Sequence, residues 1–324
     1  MTRKINNSYL LGQSNAPTTG GDMLKTRKDG TPVWEEVDGT TYIPPVWYGD
    51  RGIWFGGYLG ATTIDYIDIT STGNATDFGD TTGNKQACTA CSNGSRGVSI
   101  GEVSSGVGIE YITISTTGNA TDFGDMATNR DTSSATSNGI RGVDAGGESS
   151  SVTMEYITIA TTGDAVDFGD LTSGRGNFCS CSDGTKGLWG GGSSSNVIDY
   201  VTIATTGDAV DFGDLTVNKA ETMGAFSGIS GTRGVWGGAN GTNVIDYVTI
   251  ASTGNATDFG DMAVSRWAGG ACSNDTRGCF GAGESSGVTH NTIDYITIAS
   301  TGDGTDFGDL TVARRAMVGS CAGD

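Results

Sequence analysis

Positive charge recurs along this chain at regular positions. Beyond residue 50, 12 of the 13 Lys and Arg residues fall at two positions of a repeat. The first cation set precedes a short apolar segment and comprises Arg51, Arg96, Arg141, Lys186, Arg233 and Arg277. The second cation set lies five residues after a repeated Asp-rich tetrapeptide and comprises Lys85, Arg130, Arg175, Lys219, Arg266 and Arg314.

Two kinds of chemistry are open to the second cation set. A ring of cations at one mouth of a closed structure attracts anions such as carboxylate or sulfate. Alternatively, each cation pairs with a carboxylate of the repeat and positions a turn. We favour the structural role, because a residue that is required in every repeat usually serves the repeat itself.

The repeated aspartates and the cysteines offer metal chemistry. Rings of carboxylate and carbonyl oxygens can hold Ca²⁺, but the dense Asp/Asn/Gly loop of known calcium motifs is missing. Calcium therefore stays an alternative to turn formation, and we predict no other cofactor. Four of the 7 Cys residues share one repeat position, which predicts buried thiols in a reducing compartment. The pair Cys88 and Cys91 lacks a second pair or a nearby His, so zinc is not predicted.

The tetrapeptide Asp-Phe-Gly-Asp fixes the period of the repeat. It begins at Asp77, Asp122, Asp167, Asp211, Asp258 and Asp306, in steps of 45, 45, 44, 47 and 48 residues. Each unit contains four strand-like segments, one of which alternates apolar and polar residues with period two. A two-residue turn that starts with Gly, such as Gly73-Asn74, follows that segment. Four strands per unit in six units predict an all-β, six-bladed β-propeller.

The two ends of the repeat region predict how the ring closes. The C-terminal residues 311–324 match a segment that elsewhere continues directly into Arg-Gly, and that continuation is found at Arg51-Gly52. We therefore predict that the C-terminal strand is the innermost strand of the first blade. A blade that is split between the two ends leaves no open sheet edge.

The order of residue types within each blade resembles the kelch repeat. A basic residue is followed by a small-residue strand, a strand ending in Gly-Gly, a strand with Tyr, and an aromatic residue near the blade edge, over residues 51–324. Phe of the tetrapeptide stands where kelch blades usually carry Trp. The resemblance implies propeller architecture and no activity.

Six-bladed propellers also include sialidases, which use an arginine cluster, a Tyr nucleophile and an acid. Here only Arg315 among the propeller cations is unique to one blade, and the single His, His290, lies in a loop insertion without an evident partner. We predict no catalytic residues. A glycan-binding or glycan-cleaving, sialidase-like propeller remains the alternative.

The first 46 residues form a segment of different composition. They hold all 4 Pro residues and 5 of the 18 basic residues. We predict an extended N-terminal arm over residues 1–46, with Tyr9, Met23, Leu24, Trp34 and Tyr42 as its anchoring residues, before a propeller over residues 47–324.

Two segments resemble parts of phage virion proteins. Residues 21–34, GDMLKTRKDGTPVW, resemble a segment near the start of tail-fibre proteins, and residues 293–314 resemble repeats in structural proteins of marine tailed phages, including cyanophages. The resemblance implies a non-enzymatic protein of the virion surface that is assembled in the host cytoplasm. Its expected partners are other virion proteins, bound through the arm, and a host surface glycan or protein.

Charge and hydropathy exclude two other classes of partner. The formal net charge is −19, so nucleic acid is expected to be repelled. The sequence contains no apolar run of the roughly 18 residues that a membrane helix needs, so membrane insertion is not predicted. No apolar leader follows Met1, so no secretory signal is predicted.

Overall fold

The computed structural model describes residues 22–26, 32–36, 49–58, 62–101, 107–147, 151–228, 232–315 and 319–323. By its backbone contacts the chain separates into two units, Met1–Pro45 and Val46–Asp324. In the first unit, β1 (Asp22–Thr26) and β2 (Pro32–Glu36) pair antiparallel, with Leu24 opposite Trp34. Met23 also lies on β1, whereas Tyr9 and Tyr42 lie outside the described residues.

The second unit is the predicted six-bladed propeller of four-stranded antiparallel sheets. Blade 1 consists of β28 (Gly319–Gly323), β3 (Arg51–Phe55), β4 (Thr63–Asp68) and β5 (Thr76–Asp80). Blade 2 consists of β6 (Thr89–Ser92), β7 (Arg96–Ile100), β8 (Gly108–Thr113) and β9 (Thr121–Asp125). Blade 3 consists of β10 (Ser134–Ser137), β11 (Arg141–Ala145), β12 (Thr153–Thr158) and β13 (Val166–Asp170).

The remaining three blades repeat the same order. Blade 4 consists of β14 (Cys179–Ser182), β15 (Lys186–Gly190), β16 (Ser195–Thr202) and β17 (Val210–Lys219). Blade 5 consists of β18 (Gly224–Gly228), β19 (Arg233–Gly237), β20 (Val244–Thr249) and β21 (Thr257–Asp261). Blade 6 consists of β22 (Gly270–Ser273), β23 (Arg277–Gly281), β26 (Thr292–Thr297) and β27 (Thr305–Asp309), and carries a small hairpin of β24 (Glu284–Ser285) and β25 (Val288–Thr289).

The ring closes as predicted. The C-terminal strand β28 pairs antiparallel with β3, with Gly323 opposite Arg51 and Gly319 opposite Phe55. The innermost strands of neighbouring blades adjoin one another around the whole ring, and β28 lies next to both β6 and β22. The first blade is therefore completed by the far end of the chain.

The tetrapeptide Asp-Phe-Gly-Asp forms a β-bulge on the outermost strand of each blade. In blade 1 the pairing register shifts between Ile64 and Asp65, so that Ile64 faces Gly79 and Asp65 faces Asp77. The extra residue, Phe78, is buried and packs edge-to-face on Tyr66, with ring centroids 5.9 Å apart. All six blades have this bulge and this aromatic pair.

The glycine of the tetrapeptide is required by the neighbouring blade. Gly79 has φ +148°, and a Cβ placed on it would lie 2.5 Å from the carbonyl oxygen of Gly118 in the turn of blade 2. The backbones meet this closely because Gly118 donates its N–H to the carbonyl of Phe78. Beside it, Asn119 accepts a hydrogen bond from the N–H of Asp80. Because only the Oδ1 atom is used, Asn and Asp are interchangeable at this turn.

Candidate functional site

The second cation set is buried between the blades. Five members lie in the linker that leads into a new innermost strand, and Lys219 ends the outermost strand β17 just before that linker. Each member reaches the third strand of the next blade. Arg175 is typical: it lies 2.9 Å from a carboxylate oxygen of Asp199 and donates to the carbonyl of Trp189. The corresponding pairs are Arg130 with Glu155, Lys219 with Asp246, Arg266 with Asp294, and Arg314 with Asp65. Lys85, the sixth member, donates to the carbonyl of Gly108.

The third-strand carboxylates are the partners that the sequence analysis did not single out. They precede the Tyr of every repeat and lie at the bulge, where the register shift turns them toward the incoming linker. Linker groups other than the cation also bind them: Thr172 donates its hydroxyl to Asp199 at 2.6 Å. The six buried acids are Asp65, Glu110, Glu155, Asp199, Asp246 and Asp294.

The electrostatics of these pairs are those of desolvated ions. Burial lowers the pKa of Arg175, Lys219, Arg266 and Arg314, and the attraction of each paired carboxylate offsets only part of that shift. Burial also raises the pKa of Asp294, against the opposing effect of Arg266. Since each cation is enclosed and already has an acceptor, this set joins blades and presents no open anion site among the described residues.

The first cation set joins neighbouring blades at their opposite end. Arg96 begins the second strand of blade 2, lies 4.1 Å from the ring centroid of Tyr111, and donates to the carbonyl of Ile159 in blade 3 at 3.0 Å. The same contact repeats around the ring and closes where Arg277 of blade 6 donates to Ile69 of blade 1. The other members are Arg51, Arg141, Lys186 and Arg233, each over the Tyr of its own blade.

Blade 3 has a second buried acid beside its cation. Asp144 occupies the second-strand position that is aromatic in blades 1, 4, 5 and 6, and lies 3.6 Å from Arg130, which is already paired with Glu155. Burial raises the pKa of Asp144 from its ordinary 3.8 to about 6, with Arg130 opposing. One cation therefore serves two carboxylates that are both buried.

We expect this acid to make stability depend on pH. Because the folded-state pKa lies above the unfolded value, Asp144 favours the folded state most below pH ~4 and loses that contribution as the pH rises through ~6. Relative to the Asp144→Asn variant, the wild-type free energy of unfolding should fall by about 3 kcal/mol across that interval. Chemical denaturation at pH 4 to 8 measures the difference.

The control for this measurement is Asp164→Asn. Asp164 is exposed and accepts the N–H of Asp125 at 3.0 Å, as Asn119 of blade 2 accepts the N–H of Asp80 of blade 1. The free energy of unfolding of Asp164→Asn should differ little from that of the wild type, and the difference should not change with pH. If the difference between wild type and Asp144→Asn did not change with pH, the pKa of Asp144 would be the same in the folded and unfolded states.

The repeat symmetry is also broken where blade 6 meets blade 1. Arg315 forms an ion pair with Glu284 on the β24–β25 hairpin, and its guanidinium lies 5.0 Å from the ring centroid of Tyr58. Tyr58 donates its N–H to the carbonyl of Arg315 at 2.7 Å, and Trp267 exchanges backbone hydrogen bonds with Glu284. We call Tyr58, Trp267, Glu284 and Arg315 the junction patch. The sequence analysis identified Arg315 as unique but not its three neighbours.

The other candidate groups serve packing. The backbone N–H of His290 donates to the carbonyl of Gly283, and the carbonyl of His290 accepts from the backbone N–H of Arg314. Burial lowers the pKa of the His290 side chain. Six cysteines are buried free thiols, and burial raises the pKa of Cys91 to about 12; the side chain of Cys321 lies outside the described residues.

Among the described residues, no group of three His, Cys, Asp or Glu side chains is placed to hold a metal ion. Within the same residues, no helix could cross a membrane.

The chain matches no protein-family profile and no curated protein sequence. The propeller architecture therefore rests on the structure itself, and any statement about biological role is a proposal.

Proposed function

We propose that this protein is a non-enzymatic component of the surface of a tailed phage, built from kelch-like blades. In this proposal the N-terminal unit anchors the protein to other virion proteins and the propeller is displayed. Two roles fit the display: host recognition on a tail fibre or other appendage, or decoration of the capsid or tail. The observation that carries the proposal is the division of the chain into two units, each with its own virion-like sequence pattern.

The contacts of the propeller support a rigid display module. Both cation sets are used to join blades, so the residues that repeat are committed to the ring. Binding residues on such scaffolds are usually in loops that the rigid elements position. In the junction patch, blade-specific residues gather at the surface. The N-terminal hairpin contains three of the expected anchoring residues, Met23, Leu24 and Trp34.

The test of anchoring separates the two units. We expect residues 46–324 to fold and to be missing from particles, because an anchoring segment supplies the contacts of assembly. Residues 1–45 fused to an unrelated soluble protein should be incorporated. Incorporation is measured by immunoblotting purified particles that carry each variant. If the propeller without its first 45 residues still assembles onto particles, the proposed division of labour is wrong.

A glycan-cleaving enzyme is the second candidate, and the junction patch is the observation that favours it. A Tyr, a Glu and an Arg lie together there on a six-bladed propeller, as in the sialidase-like alternative. Only one arginine is present, however, where those enzymes use a cluster. Release of fluorophore from a panel of fluorogenic glycosides, sialosides included, would establish the enzyme; we expect none above the level of the Tyr58→Phe variant.

A further inference from the structure

The junction patch is a surface built from residues that the repeat does not require. Its four members come from four different segments: the loop after β3, the linker into blade 6, the β24–β25 hairpin and the linker into blade 1. All of these segments lie at the end of the propeller where linkers enter the blades. The hairpin turns at Ser286 and Gly287, both with positive φ, and holds Glu284 against Trp267. The patch is therefore fixed by backbone contacts from two blades.

The side chains of the patch combine an ion-paired guanidinium with an accessible aromatic ring. Arg315 is 34% exposed although it is paired, and its partner Glu284 is only 10% exposed. Tyr58 is 41% exposed, so it is accessible beyond the guanidinium that it contacts, and Trp267, whose backbone pairs with Glu284, is half-buried. The arrangement offers guanidinium donors, a carboxylate acceptor and an aromatic face within one small area.

We propose that the junction patch binds an uncharged saccharide. This inference deepens the proposed function, on which it rests, by naming the ligand class of the displayed propeller. Adjacent sugar hydroxyls match a guanidinium fork beside a carboxylate, because each hydroxyl both donates and accepts. The apolar face of a sugar ring fits against the exposed ring of Tyr58, because an amphipathic aromatic ring suits contacts that are apolar on one side and polar on the other.

The charges of the patch and of the whole protein select against anionic sugars. Arg315 is neutralised by Glu284, so the patch offers no unpaired positive charge to a carboxylate or sulfate. The net charge of −19 further repels anions as they approach. A protein partner is the less favoured occupant, because a stable protein interface needs about 800 Å² from each side, whereas the patch consists of four side chains.

The experiment is a binding measurement on the full chain. The probes are an array of neutral oligosaccharides (hexose, N-acetylhexosamine and deoxyhexose) and a matched array of sialylated and sulfated ones, followed by titration of the best neutral oligosaccharide. We expect binding to neutral members only. Tyr58→Ala and Arg315→Ala should each weaken the affinity at least tenfold. Arg315→Lys keeps the charge but loses the planar fork, so we expect a similar loss.

Two controls keep a folding defect from imitating lost binding. Val210→Ala changes a residue that is 50% exposed on the outer strand of blade 4, away from the patch, and should leave affinity unchanged. The double variant Arg315→Met with Glu284→Gln removes the ion pair without leaving a buried charge, so it should keep the wild-type melting temperature and still lose binding.

Three results would overturn the assignment. They are a wild-type protein that binds no saccharide, one that binds only sialylated or sulfated members, and unchanged affinity in Tyr58→Ala. Host-cell binding that protease treatment of the cells abolishes and periodate does not would assign the patch to a protein partner instead. None of these outcomes alters particle incorporation by residues 1–45, which is measured separately and decides the proposed function by itself.

Discussion

Deletion of residues 316–324 is expected to abolish folding of the propeller. The deletion removes β28 and leaves the linker through Arg314 in place, so the ion pair with Asp65 is retained and only the closing strand is lost. Without β28, the innermost strands β6 and β22 each lose a neighbour and β3 becomes an open edge. The lost contacts approach the whole stability of a domain, about 5–15 kcal/mol. Thermal unfolding followed by circular dichroism measures the effect.

The matched comparison for this deletion is the removal of residues 1–45, a separate unit of the chain. That longer deletion should leave the melting temperature of the propeller within a few degrees. Adding a peptide of residues 316–324 to the shortened chain should restore a cooperative transition. A chain without β28 that melts close to the full-length protein would mean that five blades and three strands suffice for closure.

The closure of the ring was predictable because the sequence shows where each repeat begins and ends. The tetrapeptide lies on each outermost strand. The C-terminal segment is a partial repeat, and the rest of that repeat begins at Arg51. The bulge was not predicted, although the tetrapeptide defines it. A period-two pattern reports which residues alternate across a strand, but it does not report an inserted residue such as Phe78.

The carboxylate partner of each buried cation could not be predicted from the sequence, for a different reason. Arg175 and Asp199 are separated by 24 residues and belong to a linker and to the blade that follows it. Every repeat carries several carboxylates, and local spacing does not distinguish the exposed acids of the turn from the one at the bulge. The choice is made by packing between blades, which only the assembled ring defines.

Packing between blades also explains an alternation that looks irregular in the sequence. Where a second strand carries a large aromatic residue, the preceding blade has a small residue at the facing position: a Cβ on Gly237 would lie 2.3 Å from Phe280, and one on Gly281 would lie 2.9 Å from Trp54. Blades 2 and 3 carry Ser99 and Asp144 at the aromatic position. The preceding blades then carry a large residue, Phe55 or Ile100. Volume is thus conserved around the ring, although no single blade is typical.

Blade 3 has Asp144 where three other blades have Trp, and its third-strand acid differs from theirs as well. In the two blades without the aromatic residue, the third-strand acid is Glu110 or Glu155, and in the other four it is Asp. The longer side chain of Glu155 still reaches Arg130, and that of Glu110 reaches the linker residue Thr82. The residue at the aromatic position and the third-strand acid therefore change in the same two blades.

Arg175→Ala is expected to destabilise the propeller by about 3–5 kcal/mol, because it leaves the carboxylate of Asp199 buried without its cation. Asp199→Ala should lower the free energy of unfolding by a similar amount, since it leaves the guanidinium of Arg175 buried without its carboxylate. The double replacement of Arg175 by Met and Asp199 by Leu should cost less than either single change, because no buried charge remains. Urea unfolding of the three variants gives the free energies and their coupling.

The matched control belongs to the first cation set. Arg141 is half-buried, lies 4.4 Å from the ring centroid of Tyr156 and donates to a carbonyl 3.4 Å away, and among the described residues no carboxylate is paired with it. Arg141→Ala should therefore cost only about 0.5–1 kcal/mol. If Arg175→Ala were equally mild, the second cation set would not be holding the blades together. A variant of that kind that also lost the binding of carboxylate or sulfate ligands would reassign the set to anion binding. The difference between the stability losses of Arg175→Ala and Arg141→Ala thus distinguishes an arginine that neutralises a buried carboxylate from one that packs between two blades.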